Sequence, residues 1–362
     1  MSGDNDIGAL LAASASRVFD ALATPNALRE AEQGVGLADR WRALAESGLH
    51  RALDRDDDWR DEDGDAALSP IAALSLVRLA GRSALPLPLA ETMLARWLLV
   101  GAGLPLPDGM LTVAPVIDTE RLTMTRTGSG WRLHGTVTRV PWGRDATFVA
   151  VIAEMRDQVL IACVPAEQVI VAGRDQNLAV EPRDTLTIDT ALAADRVAPA
   201  ASGVGLAQFR AAGAAMRALQ MAGALDAVLS MTVRYAQDRV QFGRPIGRFQ
   251  AVQQSLAVLA SHVAAASAAS DLAAEAFADG LRVLPIAAAK VRVGEAAGAV
   301  AAIAHQVHGA IGFTYEHALH FSTKRLWSWR EEFGAEAAWA DVLGRRMIDA
   351  GAGRLWPEIS AV

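Results

Sequence analysis

The chain has 362 residues, 52% of them hydrophobic and 21% charged, with a formal net charge of -7. That length suffices for two or three core-bearing units, and the acidic balance argues against nucleic acid, whose phosphates need a basic face. A single cysteine, Cys163, excludes an internal disulfide framework and a cysteine metal cluster. The opening Met-Ser-Gly-Asp-Asn-Asp lacks the basic and apolar segments of a signal peptide. No uninterrupted apolar run reaches the roughly 18 residues that would span a bilayer. The expectation is a cytoplasmic protein with no membrane partner.

Residues 7–53 carry apolar side chains near helical spacing (Ile7, Leu10, Leu11, Val18, then Trp41, Leu44, Leu49), which predicts two or three helices. Residues 54–65 form a charged break, read as a solvated loop because they lack the order of a calcium-binding loop. Helices are expected over 70–79 and 89–99. From residue 111 to about 199, short runs rich in Val, Thr and Ile predict strands at 122–126, 131–137, 147–153, 159–164 and 185–189. The turn Gly128-Ser129-Gly130 joins the first two. Antiparallel strands without intervening helices suggest a small barrel or sandwich.

Four long helices are expected after Pro199, over 205–238, 249–279, 285–309 and 323–350. Val252, Leu256, Leu259 and Val263 mark a buried stripe in the second, and the succession points to an up-and-down bundle. The fold class is therefore α+β: an N-terminal helical domain (1–105), a middle small antiparallel β-domain (106–200) and a C-terminal four-helix bundle (201–362).

Residues 239–250, Arg-Val-Gln-Phe-Gly-Arg-Pro-Ile-Gly-Arg-Phe-Gln, connect the first two bundle helices. Pro245 cannot sit inside a helix, so cations and stackable rings are gathered in a shaped connector. By its residues alone this is either a surface loop or an anion site. His305, His308, His317 and His320 lack carboxylates at ligand spacing, so no metal is expected. The glycines around His317 and His320 suggest a loop. No Gly-x-Gly-x-x-Gly follows a strand, so a Rossmann cofactor is unsupported.

The pattern Arg239-x-Gln241-Phe242-Gly243-x-Pro245-Ile246-x-x-Phe249-Gln250 resembles the signature of the acyl-CoA dehydrogenase flavoprotein family. Gln306-Val-His-Gly309-Ala-Ile-Gly312-Phe313-Thr-Tyr-Glu316 resembles a second family element, and the helix–β–helix order is the family's too. The resemblance implies FAD as cofactor, an acyl-CoA thioester as substrate and oxidation of its Cα–Cβ bond. It also implies electron-transfer flavoprotein as acceptor and an oligomer, homomeric or heteromeric, built as a dimer of dimers. Arg239 matches the pyrophosphate-contacting arginine, and Phe242 the aromatic beside the cofactor. Gln241, Ile246, Phe249 and Gln250 complete that side; Gln306 and Gly309 match the half contributed across a subunit boundary.

The departures concern the carboxylate that takes the α-proton. Set against the family pattern, one base position is occupied by His320 and the other falls near Gly213, so neither carries an acid. His320 and Glu316, one turn before it, remain the catalytic candidates, since imidazole can act as a base near neutral pH. The alternative is a non-catalytic partner subunit that completes the site of another chain, as in the family's steroid side-chain branch. A scaffold whose flavin site has decayed is the third reading. The family's Thr-Glu-Pro-rich loop and Trp-Ile-Thr segment read Leu111-Thr-Val-Ala-Pro115 and Arg139-Val-Pro-Trp142 here, and its Glu-Gly-Thr reads Phe333-Gly334-Ala335. The stretch 325–330 is expected to be a helix packing its tryptophans.

Overall fold

The structure, a computed structural model, describes residues 3–54, 68–115, 122–155, 158–354 and 356–357. Beyond Asp54, the expected charged break lies outside these residues. The helices before the sheets are α1 (Gly3–Leu22), α2 (Pro25–Glu32), α3 (Leu37–Glu46), α4 (Pro70–Arg82) and α5 (Leu89–Gly101). The strands are β1 (Leu111–Val113), β2 (Thr123–Thr127), β3 (Gly130–Pro141), β4 (Phe148–Met155), β5 (Gln158–Pro165), β6 (Val169–Gly173), β7 (Arg183–Leu192) and β8 (Val197–Pro199). Then come α6 (Leu206–Asp238), the two-residue strands β9 (Val240–Gln241) and β10 (Arg244–Pro245), α7 (Gln250–Ala278), α8 (Val283–His308), α9 (Leu319–Glu331) and α10 (Glu336–Ala350). The chain divides into two compact units: Met1–Leu22, Arg29–Leu76 and Pro86–Gly213 in one, Ala23–Leu28, Val77–Leu85 and Ala214–Val362 in the other.

The first unit is built on two four-stranded sheets, ordered β1-β4-β5-β8 and β2-β3-β7-β6. Alternate residues of each strand point to one face, so Val149, Val151 and Ala153 of β4 share a core with Leu160, Ala162 and Val164 of β5. Met124, Leu133, Val137, Leu186 and Ile188 enter the same core from the other sheet, which makes a sandwich. The expected strands are all present, but the antiparallel expectation is corrected at one edge, where β1 runs parallel to β4. β1, β6 and β8 were not anticipated; runs of three to five residues are too short to display an alternation. Trp142 is buried and has φ 54, just beyond a bulge in β3 between Val137 and Val140. The Thr92 hydroxyl donates to the Leu111 carbonyl at 2.9 Å, tying α5 to β1. Arg96 on α5 holds Asp54 in a buried ion pair, with Nε at 2.9 Å and Nη2 at 2.5 Å.

The second unit is helical. Its core combines Met221, Leu225 and Val228 of α6, Leu259 and Val263 of α7, Val293 and Val300 of α8, and Leu319, Leu326 and Trp329 of α9. Interspersed Ala218, Ala224, Ala266, Ala296 and Ala297 are also buried there, so small side chains line the helix contacts. The stripe read from α7 is real: Leu259 and Val263 are its buried members. Among the described residues α7 is the one helix long and apolar enough to cross a membrane, judged by length and composition. The expected fourth bundle helix is corrected to two, α9 and α10, because Phe333 and Gly334 adopt φ 54 and 103, outside helical space. His320 is also corrected: it lies in the first turn of α9, while His317 stays in the preceding loop.

Candidate functional site

The connector folds by local rules. Gln241 pairs with Arg244 and Val240 with Pro245, leaving Phe242-Gly243 as a two-residue hairpin turn. Both central residues have positive φ, 52 and 80, as a type I′ turn requires. Glycine adopts this freely, whereas a phenylalanine there is strained by roughly 1–2 kcal/mol. The Ile246 amide donates to the Arg239 carbonyl at 2.8 Å, closing the loop, and α7 starts at Gln250. Gln253 Nε2 donates to the Gly247 carbonyl at 3.0 Å.

This arrangement displays its chemistry outward. The Phe242 ring is 92% exposed and meets Phe249 edge-on at 6.1 Å. The Arg244 guanidinium lies over Phe249 at 4.3 Å. Arg239, Gln241, Arg248 and Gln250 are exposed, and Ile246 and Phe249 half-buried. Arg239, Arg244 and Arg248 have no ion-pair partner among the described residues. Strain and an exposed aromatic beside three uncompensated cations are more than a merely structural turn requires. The donor set fits a ligand that carries both a pyrophosphate and a flat ring system.

The other predicted half lies at the end of α8. Gln306 is exposed, and Gly309 ends the helix at φ 65, ψ -147, a region open essentially to glycine alone. The two halves are linked through Tyr235, one helical turn before Arg239. Its ring stacks on His308 at 4.4 Å and its hydroxyl donates to the His308 carbonyl at 3.3 Å. Tyr235 was not singled out from sequence, although its spacing of four from Arg239 would have placed it at the same helix end.

The catalytic candidates sit apart in character. Glu316 is exposed on the turn before α9. His320 is buried and hydrogen-bonds the His317 carbonyl through Nδ1 at 2.8 Å. A carbonyl only accepts, so Nδ1 carries the proton and the lone pair lies on Nε2. Tyr315 meets the His320 ring edge-on at 4.9 Å and Phe321 lies 4.0 Å away. Burial holds the pKa of His305, His308 and His317 below the usual imidazole range, and a proton on nearby His320 would lower that of His305 further. Among the described residues no group of three or more His, Cys, Asp or Glu side chains is arranged to hold a metal ion.

The break between α9 and α10 is contacted by residues missed from sequence. Lys290 is buried in α8, and its ammonium donates to the carbonyls of Arg330 at 2.6 Å and Gly334 at 2.8 Å. Burial brings its pKa down to about 8. Buried Arg217 of α6 pairs with Glu332 at 2.7 Å, and its guanidinium lies 5.9 Å from the Phe333 ring. Arg330 pairs with Glu336 at 2.5 Å. A signal was available for Arg217, a single charge inside an apolar, alanine-rich stretch, where a buried charge needs partners; Lys290 lies close to Arg292 and Glu295 and carries no such mark. Phe333, which stands where the family's Glu-Gly-Thr has its carboxylate, is thus held in a strained conformation by a charged frame.

The acyl-CoA dehydrogenase C-terminal domain matches residues 191–348. Acyl-CoA dehydrogenase FadE27 of Mycobacterium tuberculosis is 30% identical over 351 residues, covering 87% of this chain and 89% of that protein. Acyl-CoA dehydrogenase IpdE2 of the same organism is 40% identical over 112 residues, 31% of this chain and 34% of IpdE2, so that match spans about a third of the relative. A chain of the ChsE4-ChsE5 complex from Mycobacterium tuberculosis superposes with a TM-score of 0.78 at 25% identity, covering 97% of this chain and 99% of that one. With a 30% identical relative aligned over nearly its whole length, the chain belongs to the acyl-CoA dehydrogenase family, whose members are FAD-binding oxidoreductases.

Proposed function

We propose that this chain is a subunit of an FAD-dependent acyl-CoA dehydrogenase that oxidises the Cα–Cβ bond of an acyl-CoA thioester. It would work as an oligomer in the cytoplasm, organised in the helical, β and bundle domains 1–105, 106–200 and 201–362, with electron-transfer flavoprotein as acceptor. The observation that carries this reading is the connector: unpaired Arg239, Arg244 and Arg248 around an exposed, strained Phe242. Arg239 is assigned to the pyrophosphate, Phe242, Ile246 and Phe249 to the ring and ribose side, and Gln241 and Gln250 to polar edges. Gln306 and Gly309 serve the site of an adjoining subunit. Bound FAD supplies the hydride acceptor; the chain's own residues bind and orient it.

The proton is the harder half of the reaction. No carboxylate stands at His320, Gly213 or Phe333, and Glu316 is exposed. We therefore assign the base to a partner chain in a heteromer, a reading supported by likeness to a chain from a complex of two named proteins. The second reading, His320 as the base, is favoured by its Nδ1–H bond to the His317 carbonyl, which leaves Nε2 as proton acceptor.

The chain is purified alone and its visible spectrum recorded, with and without acyl-CoA and an electron acceptor. A colourless chain that gains flavin only on co-expression with a second acyl-CoA dehydrogenase-like chain supports the heteromer. A yellow chain bleached by substrate refutes it; His320→Ala then decides the base, since loss of bleaching supports His320 and retained bleaching removes it. Arg239→Ala in the flavin-loaded assembly is expected to weaken flavin binding about 10–100-fold, the value of one charge-assisted hydrogen bond.

A further inference from the structure

The turn between α8 and α9, residues 309–318, packs against buried imidazoles that have, among the described residues, no carboxylate hydrogen-bonded to them. His317 Nδ1 accepts the Leu319 amide at 3.1 Å, so it satisfies the first amide of α9 and must be unprotonated there. His308 Nδ1 donates to the Ala304 carbonyl at 2.8 Å, and its buried Nε2 has no hydrogen-bond partner. His305 Nε2 meets the Thr323 hydroxyl at 3.0 Å, while its buried Nδ1 is likewise without one. The rings are packed together: His308 with His317 at 4.6 Å, His317 edge-on to Tyr235 at 6.0 Å, and His305 between Phe313 at 4.1 Å and Trp327 at 5.6 Å. The turn lies close on α8, since a Cβ at Gly312 would come within 3.0 Å of His308 Cβ and 3.3 Å of His305 Nδ1.

We propose that His317, together with His305 and His308, forms a proton-sensitive latch that holds residues 309–318 on α8 at neutral pH and releases them on acidification. Protonating His317 Nδ1 turns an acceptor into a donor facing the Leu319 N–H, which leaves the first amide of α9 without its acceptor. Protonating His308 or His305 places a cation in a site that is more than nine-tenths buried. The groups facing the cluster are Tyr235 of α6, Tyr315 of the turn and His320 of α9, with Lys324 lying 5.4 Å from the Tyr315 ring. Glu316 is in the same turn but exposed, and among the described residues no carboxylate acts on the titration of His305, His308 or His317, whereas each of the first two feels another imidazole. A first proton is therefore uncompensated and a second is repelled. Gly309 begins this turn and Gln306 precedes it, so in the reading given above, on which this last step rests, the latch controls the flavin half-site lent to a neighbouring subunit.

Each histidine that titrates near 6.5 in the released turn and not in the held one raises the released population about tenfold between pH 7.5 and 5.5. Hydrogen exchange of the full chain reads this at the amides of 309–319, corrected for the intrinsic pH dependence of exchange. The wild type is expected to lose protection about tenfold or more over that interval. His317→Asn, which keeps an acceptor that does not titrate, is expected to lose about tenfold less protection than the wild type, the share of one histidine. Unchanged wild-type protection, or an equal loss in His317→Asn, overturns the latch. If that variant does not fold, the ring nitrogen shifts of wild-type His317 decide: titration at or above 6.5 overturns the proposal, and titration below it together with exchange of the turn supports it. Retained flavin is measured on the same samples of the co-expressed assembly. Opening of the turn with flavin lost supports both readings; opening with flavin kept supports the latch and refutes the cofactor role of Gln306 and Gly309.

Discussion

Lys290→Met tests the charged frame of the α9–α10 break most sharply. The side chain is almost fully buried, and its pKa falls from 10.5 to about 8 through burial, against the opposing pull of Glu336, Glu332 and Glu331. At 1.36 kcal/mol per pH unit that difference corresponds to about 3 kcal/mol between the charged and neutral forms in the folded state. The sign follows from proton counts. Between pH 8 and 10.5 the unfolded chain keeps the proton while the folded chain has released it, so stability rises with pH. The neutral amine still has two N–H groups, enough for the Arg330 and Gly334 carbonyls, so the contacts survive deprotonation. Methionine has no titrating group, and it leaves both carbonyls without their donor, at a cost of about 1–3 kcal/mol each. Urea unfolding followed by circular dichroism at pH 7.5, 8.5, 9.5 and 10.5 isolates the effect, because all other titrations cancel in the difference. Wild type should gain about 3 kcal/mol over Lys290→Met across this range. Parallel stability curves would refute the reasoning.

Three further outcomes follow from the geometry. Asp54→Ala leaves the Arg96 guanidinium buried without its carboxylate and should cost about 3–5 kcal/mol in chemical denaturation; a loss under 1 kcal/mol would show that water reaches the site. Burial, then the charges of Arg96 and Arg51, bring the His50 pKa down to about 4. Its unfolded form binds a proton from pH 6.5 downward while the folded form does not, so stability should fall by up to about 3 kcal/mol between pH 6.5 and 4. His50→Gln should remove that component from the pH–stability curve, and an unchanged curve would reject it. Phe242→Gly relieves the positive-φ strain and should stabilise the isolated chain by about 1 kcal/mol. The same change should lower flavin retention in the loaded assembly, and unaltered retention would remove Phe242 from the site.

Much of the architecture is legible from local signals. Long alanine-rich helices, β runs between turn residues and the proline-containing connector each follow from spacing and backbone preference, which need no knowledge of distant residues. Arg239, Phe242, Gln306 and Gly309 were singled out instead because the contiguous patterns around them resemble those of the family. The errors share one cause. Strand β1, with three residues, takes its parallel place from β4 and from the Thr92 hydroxyl. The division of the last bundle helix depends on Lys290, about forty residues earlier, whose ammonium meets the carbonyls on both sides of Phe333. His317 and His320 read as loop residues beside glycines, and only folding brings them to Tyr235, His305 and His308.

The sequence by itself thus determines which segments are helix or strand, where cations and rings gather, and that carboxylates are missing from the expected base positions. Tertiary structure decides which charges are buried, which nitrogen of His308, His317 and His320 donates or accepts, and which backbone is held under strain. Those properties arise from desolvation and from hydrogen-bond partners far away in the chain. A residue's identity alone carries neither.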